Sequence, residues 1–377
     1  MRVAHISEDS RGGGQLQYIQ DIVSDSKLDQ VIICPTPIRS LRRQWEATRI
    51  KSIPINLRIL NFQNFLPYLL FFIPELISLK RLISTQKFDI IVGHGAIQIK
   101  AIIIARWMGI PGIWIMHDSF LPKTSRFIFR LIHRLSKNYV FVSKRSQTYY
   151  HKEFPNLSFK RQEIIPSCVN LTKLQVTDSQ VFDADVYNVI TTCYINRWKG
   201  LELTIDIAHE CQINGISDIH FHIVGPILKS REKYAATLTD RISQLNLSNI
   251  TLHGYRCDIA DYLSAADLYL CTSIYESSPI SVWEAMAMKL AIVSFDVGDL
   301  ADIIGHYRCG TVLKERIPKQ FLESILTYKN SKALSNQAGE NAQRAAFKLF
   351  DPSKFTKRHE DFYKSVIDTC YENRTDQ

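Results

Sequence analysis

Short unbroken apolar runs alternate with helix-period stretches along almost the whole chain, in two successive series. The first series predicts strands near residues 3–7, 31–34, 90–93, 112–116, 139–142 and 163–165; the second predicts them near 189–193, 219–224, 250–253, 268–271, 291–295 and 310–313. A strand that is apolar at successive positions is buried on both faces. Strands of that kind separated by helices form parallel sheets with a helical layer on each side. Between the two series, from Pro166 to Tyr187, the chain turns polar and irregular. The expected architecture is α/β with two Rossmann-like parallel-sheet domains. These are residues 1–168 and 187–350, with a linker over 169–186 and a C-terminal helix over 351–377 that packs back toward the first domain. With 377 residues, each domain has enough chain to bury its own core. Ligands of such sheets sit beyond the carboxyl ends of the strands, and between two such domains they sit in the cleft.

Cysteine usage and charge narrow the setting. The eight cysteines are scattered with no CxxC pair, which fits neither a zinc site nor a disulfide framework and implies a reducing, cytoplasmic location. Residues 2–7 read as a strand rather than as a charged and apolar leader, so no secretion signal is expected. The most apolar stretch, 65–73, contains Pro67 and falls short of the roughly 20 residues needed to span a bilayer. A net charge of +9 suits phosphorylated ligands, an anionic membrane surface or nucleic acid, without choosing among them.

The most informative segment is 275–289, YESSPISVWEAMAMK, which follows the strand at 268–271. Ser278 is a good N-cap and Pro279 suits the first helical position. The free amides near Pro279, Ile280 and Ser281, backed by the helix dipole, would make a phosphate site. Glu276 precedes the helix, and Glu284 lies roughly 7–8 Å along its axis, on the face of Ile280 and Ser281. A diphosphate on the amides would leave a sugar and a ribose, both rich in hydroxyl donors, beside the two carboxylates. The plainer alternative is a capped helix with two surface glutamates. In the turn 193–200, CYINRWKG, Lys199 and Arg197 are placed to hold a diphosphate; fixed cations stabilise a leaving group that gains charge.

This segment resembles retaining glycosyltransferases of family 4, which have the GT-B fold. Glu276 and Glu284 have the spacing of the E-x7-E signature, and ADLYLCTSIYESSPISVWEAMA is similar to the family's strand, serine, glutamate, proline and EAMA helix. The resemblance implies two Rossmann-like domains facing across a cleft, with the donor on the second domain and the acceptor on the first. The basic turn is similar to the family's GRINRWKG form, so Lys199 carries over, while the family's first arginine falls at Tyr194. Either Arg197 substitutes or the activity is weak. Gly12 and Gly13, in the turn after the first strand, are similar to the family's glycine pair near the donor phosphates. His117, beyond the strand at 112–116, is implied to approach the transferred sugar, against a plainer reading as a capping histidine.

The implied activity is transfer of a sugar from a nucleotide diphosphate donor to a saccharide or lipid-linked acceptor in surface polysaccharide or glycoconjugate biosynthesis. The anomeric configuration would be retained. Catalytic roles fall to His117 and Glu276; donor contacts fall to Gly12, Gly13, Arg197, Lys199, Ser278, Pro279, Ile280 and Glu284. No cofactor is expected beyond the donor. No metal is expected either, since Asp183-Ala184-Asp185 lies in the linker rather than after a strand of a nucleotide-binding unit. His220 and His222 share a strand face and are expected to pack rather than to ligate. Nucleic acid is not an expected partner, because no binding module or aromatic platform motif is present. For membrane contact at the inner face, the basic segment 39–51 around Trp45 stays open. The segment 123–137 reads as a solvated basic face over a core stripe of Ile128, Leu131 and Ile132. Departures from the family pattern include Ser277 for glycine, Lys289 and Ala291 for glycine and proline, Gly298-Asp299 for a glycine pair, Asp302 for glutamate and Ser167-Cys168 for Asn-Gly. They leave room for two alternatives: a divergent sugar-nucleotide epimerase or hydrolase, or a non-catalytic relative acting as a binding module.

Overall fold

Every strand pairs in parallel with its neighbours, in two separate sheets, in a computed structural model that describes all residues except 10–12, 37–41, 43–44, 61–64, 172–173, 178–180 and 376–377. The first sheet holds β1 (Arg2–Ile6), β2 (Asp29–Cys34), β3 (Ser52–Pro54), β4 (Ile90–His94), β5 (Gly112–Met116), β6 (Asn138–Phe141) and β7 (Arg161–Ile164), in the order β3-β2-β1-β4-β5-β6-β7. The second holds β8 (Tyr187–Thr192), β9 (Ile219–Val224), β10 (Ile250–Gly254), β11 (Leu268–Cys271), β12 (Ala291–Phe295) and β13 (Gly310–Leu313), in the order β10-β9-β8-β11-β12-β13. The chain divides accordingly into Met1–Ser167 with Pro352–Gln377, and Cys168–Asp351.

The unbroken apolar strands have the physical cause inferred from their composition. In β11, Leu268 and Leu270 enter one core with Val189, Phe221 and Val293, while Tyr269 and Cys271 enter the other with Ile190, Trp283 and Met286. Successive side chains point to opposite faces, so a sheet covered on both sides needs an apolar residue at every position. The first sheet repeats this, with Ala4 and Ile6 against Ile91 on one face and Ile32 and Cys34 against Leu16 and Ile19 on the other. Burial of each such side chain contributes roughly 1.5–3 kcal/mol.

The described residues of the stretch 169–186 pack into the second unit: Val169 N–H donates to the Phe350 carbonyl at 2.9 Å, Phe182 stacks on His222 with centroids 3.7 Å apart, and Thr177 bonds the Asp261 carboxylate. The helix Pro352–Thr375 belongs to the first unit, where it buries Phe355, Phe362, Tyr363 and Val366. Two elements differ from the sequence reading. β3 was not foreseen. In the helix Lys123–Ile132 none of the stripe read as core is buried: Ile128 and Ile132 are half-buried and Leu131 is 66% exposed, while Phe129 is the residue that enters the core. A buried charge cluster lies in the first unit. Lys100 Nζ donates to Glu8 at 2.6 Å and to the Arg58 carbonyl at 2.6 Å, and lies 3.4 Å from Glu75. Such charges persist inside a fold only when paired in this way.

Two stability predictions follow from these contacts. The helix Lys332–Leu349 passes so close to Lys289 that a Cβ on Gly339 would lie 2.0 Å from the Lys289 carbonyl oxygen. Alanine exceeds glycine as a helix former by roughly 1 kcal/mol, yet Gly339→Ala is expected to destabilise the fold by about 1–3 kcal/mol through overpacking. A thermal midpoint equal to or above wild type would show that the two segments part without cost.

The second concerns acid. Burial lowers His5 to about 4, lowers His94 well below its ordinary 6.5, and lowers His117 and His359 to about 3. Below 6.5 the unfolded chain protonates these imidazoles while the fold keeps them neutral, so stability is complete above 6.5 and declines as pH falls toward about 4. Glu8, raised to about 7 by burial, works the other way over the same range, but it is one carboxyl against four imidazoles. Calorimetric scans are expected to show the midpoint dropping on acidification through this window; a level or rising midpoint contradicts the assignment.

Candidate functional site

In each sheet the winding reverses between two central strands: β1 and β4 in the first unit, β8 and β11 in the second. The connections leaving the carboxyl ends of such strands diverge to opposite faces and open a crevice where ligands bind.

In the second unit the turn after β8 and the loop after β11 are bound to each other. Ile274 N–H donates to the Trp198 carbonyl at 2.7 Å, and Thr272 Oγ1 donates to the Lys199 carbonyl at 3.2 Å. The Arg316 guanidinium, supplied from beyond β13, donates to the carbonyls of Thr272 at 2.7 Å and Gly200 at 3.2 Å. Gly200 holds a left-handed φ of 57°, and a Cβ there would lie 2.4 Å from Arg316 Nη2 and 2.5 Å from Thr272 O. Only glycine fits both the dihedral and the space.

These loops bring Lys199 Nζ to 2.5 Å from Glu276 Oε1, and Ser273 Oγ donates to the same oxygen at 2.8 Å. The two side chains are 21% and 13% exposed, so the pair is largely withdrawn from water yet still reachable. Burial alone would lower the Lys199 pKa. The adjoining Glu276 charge and the hydrogen bond outweigh it and hold the ammonium above the ordinary lysine value. Beside it, burial pushes the Cys193 thiol up to about 12, so it is neutral.

The helix after this loop spans Ile280–Ala287, with Pro279 at its N-cap and no side-chain cap bond. This corrects the expected placement of Ser278 as cap and Pro279 as first helical residue. Ser278 Oγ accepts from the indole of buried Trp283 at 3.2 Å instead, and the helix starts one residue later. Val282 and Trp283 make the first intrahelical bonds, to Pro279 O, so the amides of Ile280 and Ser281 precede the ladder. Ile280, Ser281 and Glu284 are half-buried on one face, while Val282, Trp283, Ala285 and Met286 fill the core.

Arg197 stands apart from the pair. It is exposed, and its guanidinium lies over the Tyr234 ring, 5.3 Å from the centroid. Asp185 N–H donates to Asp183 Oδ1 at 3.0 Å within a turn. Among the described residues no group of three or more histidine, cysteine, aspartate or glutamate side chains is arranged to hold a metal ion. His222 bonds His253 at 3.0 Å and Asn188 at 2.9 Å.

In the first unit Gly12 lies outside the described residues. Gly13 caps the helix Gly14–Ser24 with φ 104° at the carboxyl end of β1. His117 follows β5 directly; its Nε2 lies 3.1 Å from His94 Nδ1, and the Tyr18 ring meets it edge-on at 4.9 Å. Gln98 Oε1 accepts from Glu8 N–H at 2.7 Å, and Gln98 Nε2 donates to Gln15 Oε1 at 3.1 Å. Neither these glutamines nor Arg316 and Ser273 were singled out from sequence. Ser273 sits within the motif segment and was the one within reach; Arg316 lies 44 residues beyond Thr272 and carries no motif.

With this geometry in hand, comparisons with known proteins are informative. Residues 179–345 match the glycosyl transferases group 1 family, and residues 25–173 match glycosyltransferase family 4, which leaves unmatched only the first helix and strand, a short stretch between the matches and the C-terminal helix. An N,N'-diacetylbacillosaminyl-diphospho-undecaprenol alpha-1,3-N-acetylgalactosaminyltransferase of Campylobacter jejuni is 22% identical over 291 residues, covering 71% of this chain and 74% of that protein. A UDP-Gal:alpha-D-GlcNAc-diphosphoundecaprenol alpha-1,3-galactosyltransferase of Escherichia coli is 21% identical over 313 residues, covering 78% of this chain and 79% of that protein, whereas of the Bacillus subtilis protein TuaC, 26% identical over 111 residues, the chain covers 28%. Among solved structures, Anabaena HepE in complex with UDP superposes with a TM-score of 0.83 at 17% identity, covering 97% of this chain and 100% of that one. The two family matches and the two doubly wound sheets lead to one conclusion: the chain belongs to the group 1, family 4 glycosyltransferases and has their GT-B fold.

Proposed function

We propose that this glycosyltransferase takes its sugar from a nucleoside diphosphate donor, retains the anomeric configuration, and works without a metal ion. The observation that carries the reading is the Lys199–Glu276 pair at the carboxyl ends of β8 and β11, one turn before a helix whose first amides precede its hydrogen-bond ladder. Amides and an ammonium together suit a diphosphate, whose charge rises as the sugar leaves. Lys199 and the helix terminus then meet the charge a metal would otherwise meet. Glu276 orients sugar hydroxyls, and Glu284, on the half-buried face of the same helix, takes the ribose. By the family resemblance, His117 is assigned a sugar contact and Gly13 a phosphate contact. Arg197 stays a contact only if it leaves the Tyr234 ring.

The step balances without a protein nucleophile. The bond from the anomeric carbon to the phosphate oxygen breaks, the bond to the acceptor oxygen forms on the same face, and the acceptor's proton passes to the departing phosphate. Positioning and fixed charge supply the rate. The Anabaena neighbour binds UDP, and the Campylobacter relative is named for a diphospho-undecaprenol acceptor. Both support a nucleotide sugar donor and a saccharide or lipid-linked acceptor here, in surface polysaccharide or glycoconjugate synthesis.

We further propose a cytoplasmic protein that touches the inner face of a membrane peripherally. Among the described residues no helix is long and apolar enough to cross one. The helix Phe65–Gln86 nonetheless exposes Leu66, Leu70, Ile73 and Ile77, a single stripe at helical spacing, and the stripe runs on to Lys80, which sits over exposed Trp107 at 4.2 Å. An apolar stripe with cations beside it fits an anionic bilayer surface. The segment 39–51 supplies less: Trp45 is buried, Arg42 pairs with Glu46, and Arg39 and Arg43 lie outside the described residues.

Two measurements test these readings. With a panel of nucleotide sugars and mass detection of released nucleotide, Glu276→Ala is expected to lose about 100-fold or more in kcat/KM, and Glu284→Ala to raise KM about ten-fold, both unaffected by a chelator. Turnover of donor with no acceptor present would favour an epimerase or hydrolase, and absence of any thermal shift with nucleotides would favour a binding module. In vesicle flotation, wild type is expected to rise with phosphatidylglycerol but not with phosphatidylcholine vesicles, and Leu66→Glu with Leu70→Glu to stay at the bottom; equal flotation of the two proteins removes the membrane proposal.

A further inference from the structure

Four side chains of the first sheet form a row that its register explains. In strand order they are Gln30 on β2, His5 on β1, His94 on β4 and His117 just past β5. His5 is registered with Ile32, two residues beyond Gln30. It is also registered with Val92, two before His94, and His94 is registered with Ile115, two before His117. Each step therefore crosses one strand and climbs two residues toward the carboxyl edge. Paired residues of a parallel sheet and residues two apart share a face, so all four lie on one side. The spacings follow suit: Gln30 Oε1 to His5 Nε2 is 2.5 Å, His5 Nδ1 to His94 Nε2 is 3.1 Å, and His94 Nδ1 to His117 Nε2 is 3.1 Å.

Donor and acceptor capacity makes this row directional. An amide oxygen only accepts, so His5 carries its proton on Nε2. A neutral imidazole has one N–H, so His5 Nδ1 accepts, and His94 must donate from Nε2. The same count makes His94 Nδ1 the acceptor and His117 Nε2–H the donor. His117 Nδ1 is left as a bare lone pair with no hydrogen bond of its own among the described residues. Gln30, His5 and His94 are fully or almost fully buried, whereas His117 is half-exposed at the edge where ligands bind. Burial keeps all three imidazoles neutral, the condition the count requires. The rings around the row are Tyr18, edge-on to His117, and Tyr363, 6.1 Å from His5; His359 bonds Tyr18. No carboxylate or cation is hydrogen-bonded to the row among the described residues.

We propose that Gln30, His5 and His94 are positioning residues that fix the tautomer of His117, so that its Nδ1 receives a hydroxyl of the sugar and turns away phosphate oxygens, which also only accept. The role of His117 rests on the transferase reading; the tautomer row itself does not. A hydroxyl can satisfy a lone pair, while a phosphate oxygen facing it leaves both unpaired, a difference worth roughly ten-fold or more in discrimination. Gln30 thereby acts on the ligand edge across three strands without touching anything there.

Long-range proton–nitrogen spectra of protein carrying labelled histidine read the tautomers directly, with no donor present and at neutral pH. Wild type is expected to show His5, His94 and His117 all protonated at Nε2. Gln30→Met removes the accepting oxygen at similar volume and is expected to turn His117 into a tautomer mixture, with kcat/KM about ten-fold lower and binding of UDP alone unchanged. His94→Phe, which cuts the row midway, is expected to do the same to His117 while leaving His5 on Nε2. A His117 protonated at Nδ1 in wild type overturns the proposal, because the amide would then present its nitrogen to His5. So does a His117 tautomer indifferent to both variants. If the tautomers follow the prediction but no donor is turned over, the row stands and the transferase reading is what fails.

Discussion

The ion pair between Lys199 and Glu276 is the contact on which the second unit's site depends. It joins residues 77 apart in sequence, at the point where the sheet's winding reverses, and it does so with the side chains largely out of water. A pair in that position is sensitive to loss of either partner, because the survivor is left as an isolated charge in a poorly solvating place. The neighbouring contacts all serve its geometry. Arg316 ties the two loop backbones together, Gly200 leaves room for it, and Ser273 steadies the carboxylate. The site is therefore organised before any ligand arrives, and the entropy of ordering two loops has already been met in folding. The ammonium is thereby kept charged and is already shared with a carboxylate.

The two units reach comparable topologies with contrasting chemistry at the reversal. In the second, the central strands end in an ion pair and a helix terminus. In the first, the corresponding strand ends carry neutral polar groups: His94, His117, Gln98 and Gln15, linked by hydrogen bonds. One ion cluster of that unit is sequestered, with Lys100 held between Glu8 and Glu75 and away from solvent. The strand ends of the second unit thus carry a fixed ion pair, and those of the first carry a hydrogen-bonded set of imidazoles and amides.

Much of this was legible in the chain, for reasons that differ from residue to residue. The strands could be read because burial on both faces imposes an apolar residue at each position, as in Leu268–Cys271. β3 could not: it is a three-residue edge strand with exposed ends, and its composition carries no such imprint. Glu276, Glu284 and Lys199 stood out because loop chemistry next to a strand and a helix leaves a local signature. The exact start of the helix did not, since Ser278 and Pro279 each satisfy the usual rules at either of two neighbouring positions, and the buried Trp283 indole decides which applies. Arg316 and the Gln30–His5–His94 row were invisible because their meaning lies in register across strands far apart in sequence. The glycine that the family resemblance led one to expect at position 289 also gains a cause: Lys289 holds a φ of 63°, which a side chain tolerates poorly.

The return of the last helix to the first unit has a consequence for how the molecule is made. Its residues Phe355, Phe362, Tyr363 and Val366 complete a core whose strands are translated first. On the ribosome those early strands wait for residues 352–377, while Cys168–Asp351 is continuous in sequence. The later segment can mature ahead of the earlier one, reversing the usual vectorial order. A nascent chain stalled before Pro352 emerges would carry a finished downstream unit and an upstream one still short of its closing piece.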